Sequence, residues 1–189
     1  MFDRPMKSPA KTQSGASLIE VLVAILLLSF GMLSLASMMA YAVQMPKLSA
    51  YRATAANLAA SHVERMRANT AGFALDAYKE TMTYGANLAS VSPCAYPACT
   101  ADTIATLDKN ATNQAIRSEL PGNTAGMRLT CTGACSALDG DLWIMWQEPS
   151  TFSSLSAGTS DECPDPATAP SFTAFTDPAP RCLHIRFKL

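Results

Sequence analysis

The chain has 189 residues, with 14 Lys and Arg against 15 Asp and Glu, so its net charge is −1. This balance gives no support to nucleic-acid binding, because such proteins usually carry a basic patch or stripe. The length suits one folded domain plus an anchor. The hydrophobic fraction of 49% is raised by one apolar segment near the N-terminus and by many alanines.

The apolar segment contains no charged residue from Val21 to Val43. As a helix it would be about 35 Å long, which is enough to cross a hydrocarbon core of about 30 Å. Glu20 stands directly before it. A charged side chain at the centre of a membrane costs about 2.5–3.5 kcal/mol, and less near the edge. Glu20 therefore needs either a position at headgroup level or a positive partner.

Cleavage between Gly15 and Ala16 would supply a positive partner for this carboxylate. The new α-amino group would belong to Ala16, and Glu20 would be the fifth residue of the shortened chain. A helix holds these two groups apart within one chain, but the amine can reach the corresponding carboxylate of a neighbouring subunit. The spacing therefore predicts staggered helices in which each subunit neutralises the next.

Gly15 followed by ASLIEVLVAILLLSFGMLSL resembles the class III signal of type IV pilins and type II secretion pseudopilins. In that family a short basic leader ends in Gly, and Glu is the fifth residue of the mature chain. Ala16 stands where the family more often has Phe. The resemblance implies that a prepilin peptidase cleaves after Gly15 and methylates Ala16. It also implies that Glu20 sets the axial register of assembly.

Two other interpretations of the N-terminal segment remain. A basic leader, an apolar core and the sequence Ala40-Tyr41-Ala42 fit a secretory signal peptide, whose removal would release a disulfide-stapled binding module. Against this, the apolar run exceeds the usual length of about 7–15 residues, and Glu20 interrupts it. A plain membrane anchor leaves Glu20 unexplained.

Helical periodicity continues beyond the apolar segment. Pro46 is expected to kink the helix because it has no N–H to donate, and the helix is expected to end near Asn69 and Gly72. After Pro46 the apolar positions recur at helical spacing, which predicts that this half lies on a globular domain. These positions are Leu48, Tyr51, Ala55, Leu58, His62 or Val63, and Met66.

The end of this helix, Glu64-Arg65-Met66-Arg67-Ala68-Asn69, resembles the corresponding run of the PilV-type minor pilins. Taken alone, its three charged side chains predict only a solvated helix face with weak i,i+3 pairing. The resemblance implies more: a role with other minor pilins in priming pilus assembly, at the filament tip.

A second helix is predicted from Asp102 to Leu120, with Asp102 as its N-cap and Pro121-Gly122 as its stop signal. Between the two long helices, a short helix and then a loop are expected in the range 73–92. The apolar stripe of the second helix is predicted to be Ile104, Leu107, Ala111 and Ala115.

Three strands are predicted in the C-terminal part of the chain. Asp139-Gly140 is the predicted turn between the first two strands. The range 150–180 is rich in Ser, Thr, Pro and Asp and is predicted to be a long loop. The alternating apolar positions of the strands are Met127 and Leu129, then Leu142, Ile144 and Trp146, then Leu183, Ile185, Phe187 and Leu189.

The six cysteines all lie beyond the apolar segment. An even number after an export signal predicts disulfides in an oxidising compartment such as a bacterial periplasm, and we favour pairing between neighbours along the sequence. Zinc is disfavoured, because the cysteine spacings are not those of zinc sites and no paired His accompanies them. The candidates are Cys94, Cys99, Cys131, Cys135, Cys163 and Cys182.

The sequence contains no HExxH, GxSxG or P-loop pattern, so we predict neither an enzyme nor a bound cofactor or metal. His62 and His184 are predicted to be structural or surface residues, and Trp143 and Trp146 to be core residues. Acidic residues of the long loop lack the spacing of a calcium-binding EF-hand and predict a solvated loop. They are Asp161, Glu162, Asp165 and Asp177.

The combined prediction is an α+β fold of the pilin type. A long N-terminal helix has a transmembrane first half, and its C-terminal half packs on a small antiparallel β-sheet. Residues 1–15 are the predicted cleaved basic leader and residues 16–45 the hydrophobic assembly half-helix. Residues 46–189 are the predicted periplasmic globular domain.

The resemblance also implies where the protein resides and what it meets. Arg4, Lys7 and Lys11 favour a cytoplasmic leader, which gives a single-pass protein of the bacterial inner membrane that later joins a pilus on the cell surface. The implied partners are other minor pilins, the major pilin, the prepilin peptidase, the inner-membrane assembly machinery and membrane lipid. Within the family, a minor pseudopilin of a type II secretion system is the alternative.

Overall fold

A computed structural model of the chain describes residues 15, 17–88, 90–95, 97–149, 162–164 and 180–189. The chain divides into two units, Met1–Met45 and Pro46–Leu189. Three helices and three strands are formed in the described ranges. They are α1 (Leu18–Ala68), α2 (Thr70–Ala74), α3 (Ala101–Glu119), β1 (Gly126–Cys131), β2 (Asp139–Trp146) and β3 (Arg181–Lys188).

Helix α1 runs through Pro46 without a break in its assignment and ends one residue before Asn69, as the periodicity predicts. In the second unit one face of α1 is buried, and its buried positions recur every three or four residues, with His62 and Val63 adjacent. The opposite face, which includes Arg52, Asn57 and Glu64, is exposed. The buried members are Ala55, Ala59, His62, Val63 and Met66.

The apolar core of the second unit joins this face of α1 to the sheet. Met127 and Leu129 of β1 and Leu142 and Ile144 of β2 are almost completely buried in the same cluster as the α1 residues. Alternate side chains of these strands therefore face the core, as predicted. Phe73 of α2 completes this cluster with an edge-to-face contact on the ring of Phe187, at 5.7 Å between centroids.

Helix α3 differs from the prediction at its start. Its N-cap is Thr100, not Asp102: the Thr100 hydroxyl accepts from the Thr103 N–H, and the Thr103 side chain accepts from the Thr100 N–H. This reciprocal pair satisfies two N–H groups that have no partner within the helix. Asp102 lies in the first turn instead, where its charge complements the helix dipole.

The buried face of α3 also differs from the predicted stripe. Ile104 is 36% exposed, and Leu107, Ala111 and Ala115 are only half-buried. Two of the four buried side chains are polar and find hydrogen-bond partners inside the domain, so a search for apolar periodicity does not detect the face. The buried residues are Ala105, Thr112, Asn113 and Ile116.

The sheet is antiparallel throughout, in the order β1-β2-β3. Asp139-Gly140 does not form the turn between β1 and β2, so that prediction is wrong. Both residues begin β2, and Gly140 pairs with Cys131 on one side and Phe187 on the other. A Cβ on Gly140 would lie 2.9 Å from the Phe187 ring. The glycine therefore permits close packing of the ring, and the chain reverses before it, through a short 3₁₀ turn at Cys135–Ala137.

A smaller apolar cluster covers part of the opposite face of the sheet. Met145 and Cys182 are buried there with Tyr84, while Trp143 packs at the margin. The second strand is therefore covered on both faces, by the main core at Ile144 and by the smaller cluster at Met145. A long N-terminal apolar helix followed by a small three-stranded antiparallel sheet is consistent with the predicted pilin-like α+β fold.

Candidate processing and assembly site

The start of α1 places the predicted processing site next to the first helical turn. Gly15 and Ser17 are exposed, whereas Ala16 lies outside the described residues. The Ser17 carbonyl accepts hydrogen bonds from the N–H groups of Glu20 (2.9 Å) and Val21 (3.3 Å). These bonds place Glu20 in the first turn of α1, where the positive end of the helix dipole favours a carboxylate. The Glu20 side chain is exposed.

The apolar half of α1 has no partner among the described residues of its own chain. Its large hydrophobic side chains are between 48% exposed, at Val21, and 85% exposed, at Leu18. The most apolar window has a mean hydropathy of 2.5, and none of it is buried. By length and composition this helix can cross a membrane. Such a surface requires lipid or other apolar helices around it.

The polar hydroxyl of Ser29 within this half is satisfied by the helix itself. It donates to the carbonyl of Ile25 at 2.5 Å and lies 3.2 Å from that of Leu26. This arrangement suits an apolar environment, where an unpaired hydroxyl is costly. A Cβ added at Gly31 would meet no heavy atom within 4 Å, so packing within the chain does not require this glycine.

The six cysteines form three disulfides in the second unit: Cys94–Cys99, Cys131–Cys135 and Cys163–Cys182. This is the pairing between sequence neighbours that we favour from the sequence. The first closes the loop before α3, the second joins the last residue of β1 to the β1–β2 connection, and the third ties residue 163 to the second residue of β3.

One group of metal-ligand type occurs among the described residues. Asp76 lies beside Cys131 and Cys135, with the potential ligand atoms within 4.8 Å of one another. The two cysteines are joined as a disulfide, and the thiolate form is the metal ligand. In this oxidised state the group lacks the thiolates that a zinc site needs.

His62 of α1 is fully buried, and its ring contacts Thr112 of α3. Its Nδ1 lies 2.8 Å from the Thr112 hydroxyl, and its Nε2 has no hydrogen-bond partner among the described residues. Burial lowers the pKa of His62 from 6.5 to about 4, against an opposing effect of the Asp108 carboxylate. His62 is therefore a neutral structural residue at neutral pH.

His184 lies on the other face of the sheet, in a row of side chains that crosses the three strands. Its ring stacks on Trp143 at 4.6 Å between centroids, and the guanidinium of Arg128 lies 5.4 Å from the same indole. His184 Nε2 lies 2.9 Å from an Asp141 carboxylate oxygen. Both faces of Trp143 thus have neighbours, whereas Trp146 is buried in the main core.

A polar cluster joins the end of α1 to α3. The sequence pattern does not predict it. The Tyr78 hydroxyl donates to Asp108 at 2.6 Å, and Arg65 lies 3.3 Å from the other oxygen of that carboxylate. The Asn69 amide donates to Tyr78 and to the Ala101 carbonyl. Burial, and then the hydrogen bond to Asp108, raise the pKa of Tyr78, so this hydroxyl stays protonated.

The acidic residues of the predicted loop are described only in part. Glu162 forms an ion pair with Arg52 of α1, so it is not a freely solvated side chain. Asp161, Asp165 and Asp177 lie outside the described residues, as does most of the predicted loop.

Comparison with known families identifies one feature. Residues 10–36 match the prokaryotic N-terminal methylation motif, a range that includes Gly15, Ala16 and Glu20. No curated protein and no solved structure matches the chain.

The motif and the exposed apolar helix together support a type IV pilin or pseudopilin. This is a structural type of protein and not a type of enzyme. A prepilin-type signal implies processing by a prepilin peptidase and assembly with pilus machinery. The long apolar helix fits a membrane-anchored pilin.

Proposed function

We propose that this chain is a minor pilin of a type IV pilus, of the PilV type. It is cleaved after Gly15, methylated at Ala16 and stored in the inner membrane with residues 46–189 in the periplasm. With other minor pilins it primes assembly of the major pilin and takes a place at the filament tip. The Glu64 to Asn69 run supports this type over a pseudopilin.

The position of Glu20 is the observation that carries the proposal. Its carboxylate is exposed in the first turn of a helix whose next charged residue is Lys47. A carboxylate in this position is neutralised when it meets a cation from outside the chain, and the new N-terminus of a neighbouring subunit is such a cation. The apolar half-helices then bundle in the filament core, while the globular unit supplies the lateral contacts.

Glu20→Ala tests this assignment. We expect the variant to enter the membrane normally, because the apolar segment is unchanged, but to reduce the number of surface pili and the recovery of partner pilins in pull-down. Glu64→Ala is the matched control, since Glu64 is an exposed carboxylate of the same helix. Normal pilus number and normal pull-down in Glu20→Ala would contradict the proposal.

Mass spectrometry of the protein from cells that contain the peptidase tests the processing step. The proposal requires a chain that begins at methylated Ala16. A chain that begins at Val43 would instead indicate the secreted binding module, and an intact leader would contradict both. Recovery in sheared pili supports the pilus assignment, whereas a protein-export defect on deletion would indicate a pseudopilin.

A further inference from the structure

A cavity of about 230 Å³ lies in the second unit, where β2 ends and β3 begins beside α1. We call it the juxtamembrane cavity, because its α1 residues follow the uncharged segment directly along the sequence. Lys47 is the first charged residue after Glu20, and the wall of the cavity starts with the next residue. The lining residues that matter here are Leu48, Ser49, Arg52, Trp146, Glu148 and Arg181.

The cavity presents two guanidinium groups. Arg52 is paired with Glu162, and the Nε of Arg181 lies 3.3 Å from Glu148. A guanidinium has five N–H donors in a fixed fork, and each of these contacts uses one nitrogen. Arg52 keeps 57% of its side chain exposed. Donors therefore remain for an anion with several oxygens, and Arg is well suited to phosphate.

Two further residues complete the wall of the cavity, and one of them is polar. Trp146 lines the cavity as an apolar wall, and its indole Nε1 is shielded from solvent. Ser49 contributes a hydroxyl to the same wall. The carboxylates of Glu148 and Glu162 balance the charges of the two arginines, so the site has no net charge and disfavours a multiply charged anion.

We propose that the juxtamembrane cavity binds the phosphodiester of a membrane phospholipid headgroup. A phosphodiester carries one negative charge and two free acceptor oxygens. In a chain anchored by α1, residues directly after the apolar segment lie at headgroup level, where this group is abundant. Binding there would hold the globular unit at the membrane surface before assembly. The inference rests on membrane anchoring alone and does not require the pilus assignment.

The test uses the full chain in detergent, with Trp143→Phe so that Trp146 is the remaining indole. Short-chain phosphatidylglycerol and short-chain phosphatidylcholine are titrated separately, with glycerol phosphate and inorganic phosphate as water-soluble probes. We expect saturable changes in Trp146 fluorescence with the two lipids, and Arg52→Gln to weaken both about tenfold. Arg67→Gln is the matched control, since Arg67 is a similarly exposed arginine of α1, and we expect it to change the affinity less than about twofold.

The lipid affinities of the two arginine variants and the comparison with inorganic phosphate decide the proposal. Lipid binding that Arg52→Gln weakens and Arg67→Gln leaves unchanged supports it. No saturable lipid response, or equal losses in the two variants, overturns it. Equal affinity for inorganic phosphate and the lipids overturns the lipid assignment in favour of a soluble phosphate compound. A normal thermal melt of Arg52→Gln excludes unfolding as the cause of its loss. Pilus number is not measured, so failure here leaves the Glu20 experiment unaffected.

Discussion

Glu20 and His62 are both ionisable residues in the apolar pattern of α1, and the structure treats them differently. Glu20 lies at the exposed start of the helix, in its first turn. His62 lies in the core, 2.8 Å from Thr112, where a charge is costly. Burial therefore keeps His62 neutral, whereas Glu20 remains available to a partner.

His62 should make the folded globular unit sensitive to acid. Its pKa is about 4 in the folded chain, against 6.5 for an unperturbed histidine, so below pH 6.5 the unfolded chain binds a proton that the folded chain excludes. Its contribution to stability is complete above about pH 6.5 and is lost as the pH falls towards 4. The loss is about 3 kcal/mol, measurable as the free energy of unfolding in urea at a series of pH values.

Carboxylates also titrate in this range, so variants must separate the His62 contribution. His62→Gln should show a smaller decrease in unfolding free energy between pH 6.5 and 4 than the unchanged chain. His184→Gln is the control for loss of a histidine elsewhere in the unit. Identical pH profiles for His62→Gln and the unchanged chain would show that His62 is not buried as described.

At the scale of elements, two residues at the N-terminus of α3 can be compared as caps by mutation. Thr100→Ala removes the observed cap and should destabilise the globular unit by about 1 kcal/mol. Asp102→Ala removes only a first-turn charge, which is worth about 0.3–1 kcal/mol at low salt and less at high salt. Chemical unfolding at high salt should therefore show the larger loss for Thr100→Ala. The reverse order would restore Asp102 as the cap.

The β1–β2 connection shows why a local turn signal can fail. Asp-Gly is a strong signal for a hairpin, but Gly140 pairs with strands on both sides. The space above it is taken by the Phe187 ring, from a strand more than forty residues later in the sequence. The reversal falls instead in the loop that contains Cys135, which is disulfide-bonded to Cys131. Whether such a glycine lies in a turn or inside a strand is therefore decided by the packing of distant segments.

At the scale of the whole molecule, the disulfides restrict a globular unit with a small sheet. In the chain-entropy description, the stabilisation grows with the length of the closed loop. Replacing both Cys163 and Cys182 by Ser should lower the unfolding free energy by about 3 kcal/mol, and replacing both Cys94 and Cys99 by about 2 kcal/mol. Urea unfolding followed by tryptophan fluorescence measures both, with the unchanged chain under reducing conditions as a further comparison.

An equal or larger loss for the Cys94 and Cys99 pair would contradict the loop-length argument. It would show that this short loop holds the start of α3 in place, since Cys99 directly precedes the N-cap. In either case the apolar half of α1 should keep its helicity, because none of the six cysteines lies in the first unit.

The sequence by itself determined the features that depend on local pattern. An uncharged run long enough for a bilayer, a carboxylate at its start and helical periodicity up to Asn69 were readable without coordinates, because each depends on residues close together in the chain. Strand alternation in β1 to β3 was readable for the same reason.

The tertiary structure alone decided which polar residues are buried and which turn signal is used. Thr112, Asn113 and Asp108 meet partners from 30 to 50 residues away, and no local pattern records such contacts. The cavity beside Arg52 likewise needs α1, β2 and β3 together. The physical reason is that burying a polar side chain is costly unless a partner completes its hydrogen bonds, and for these residues folding brings that partner from a distant segment.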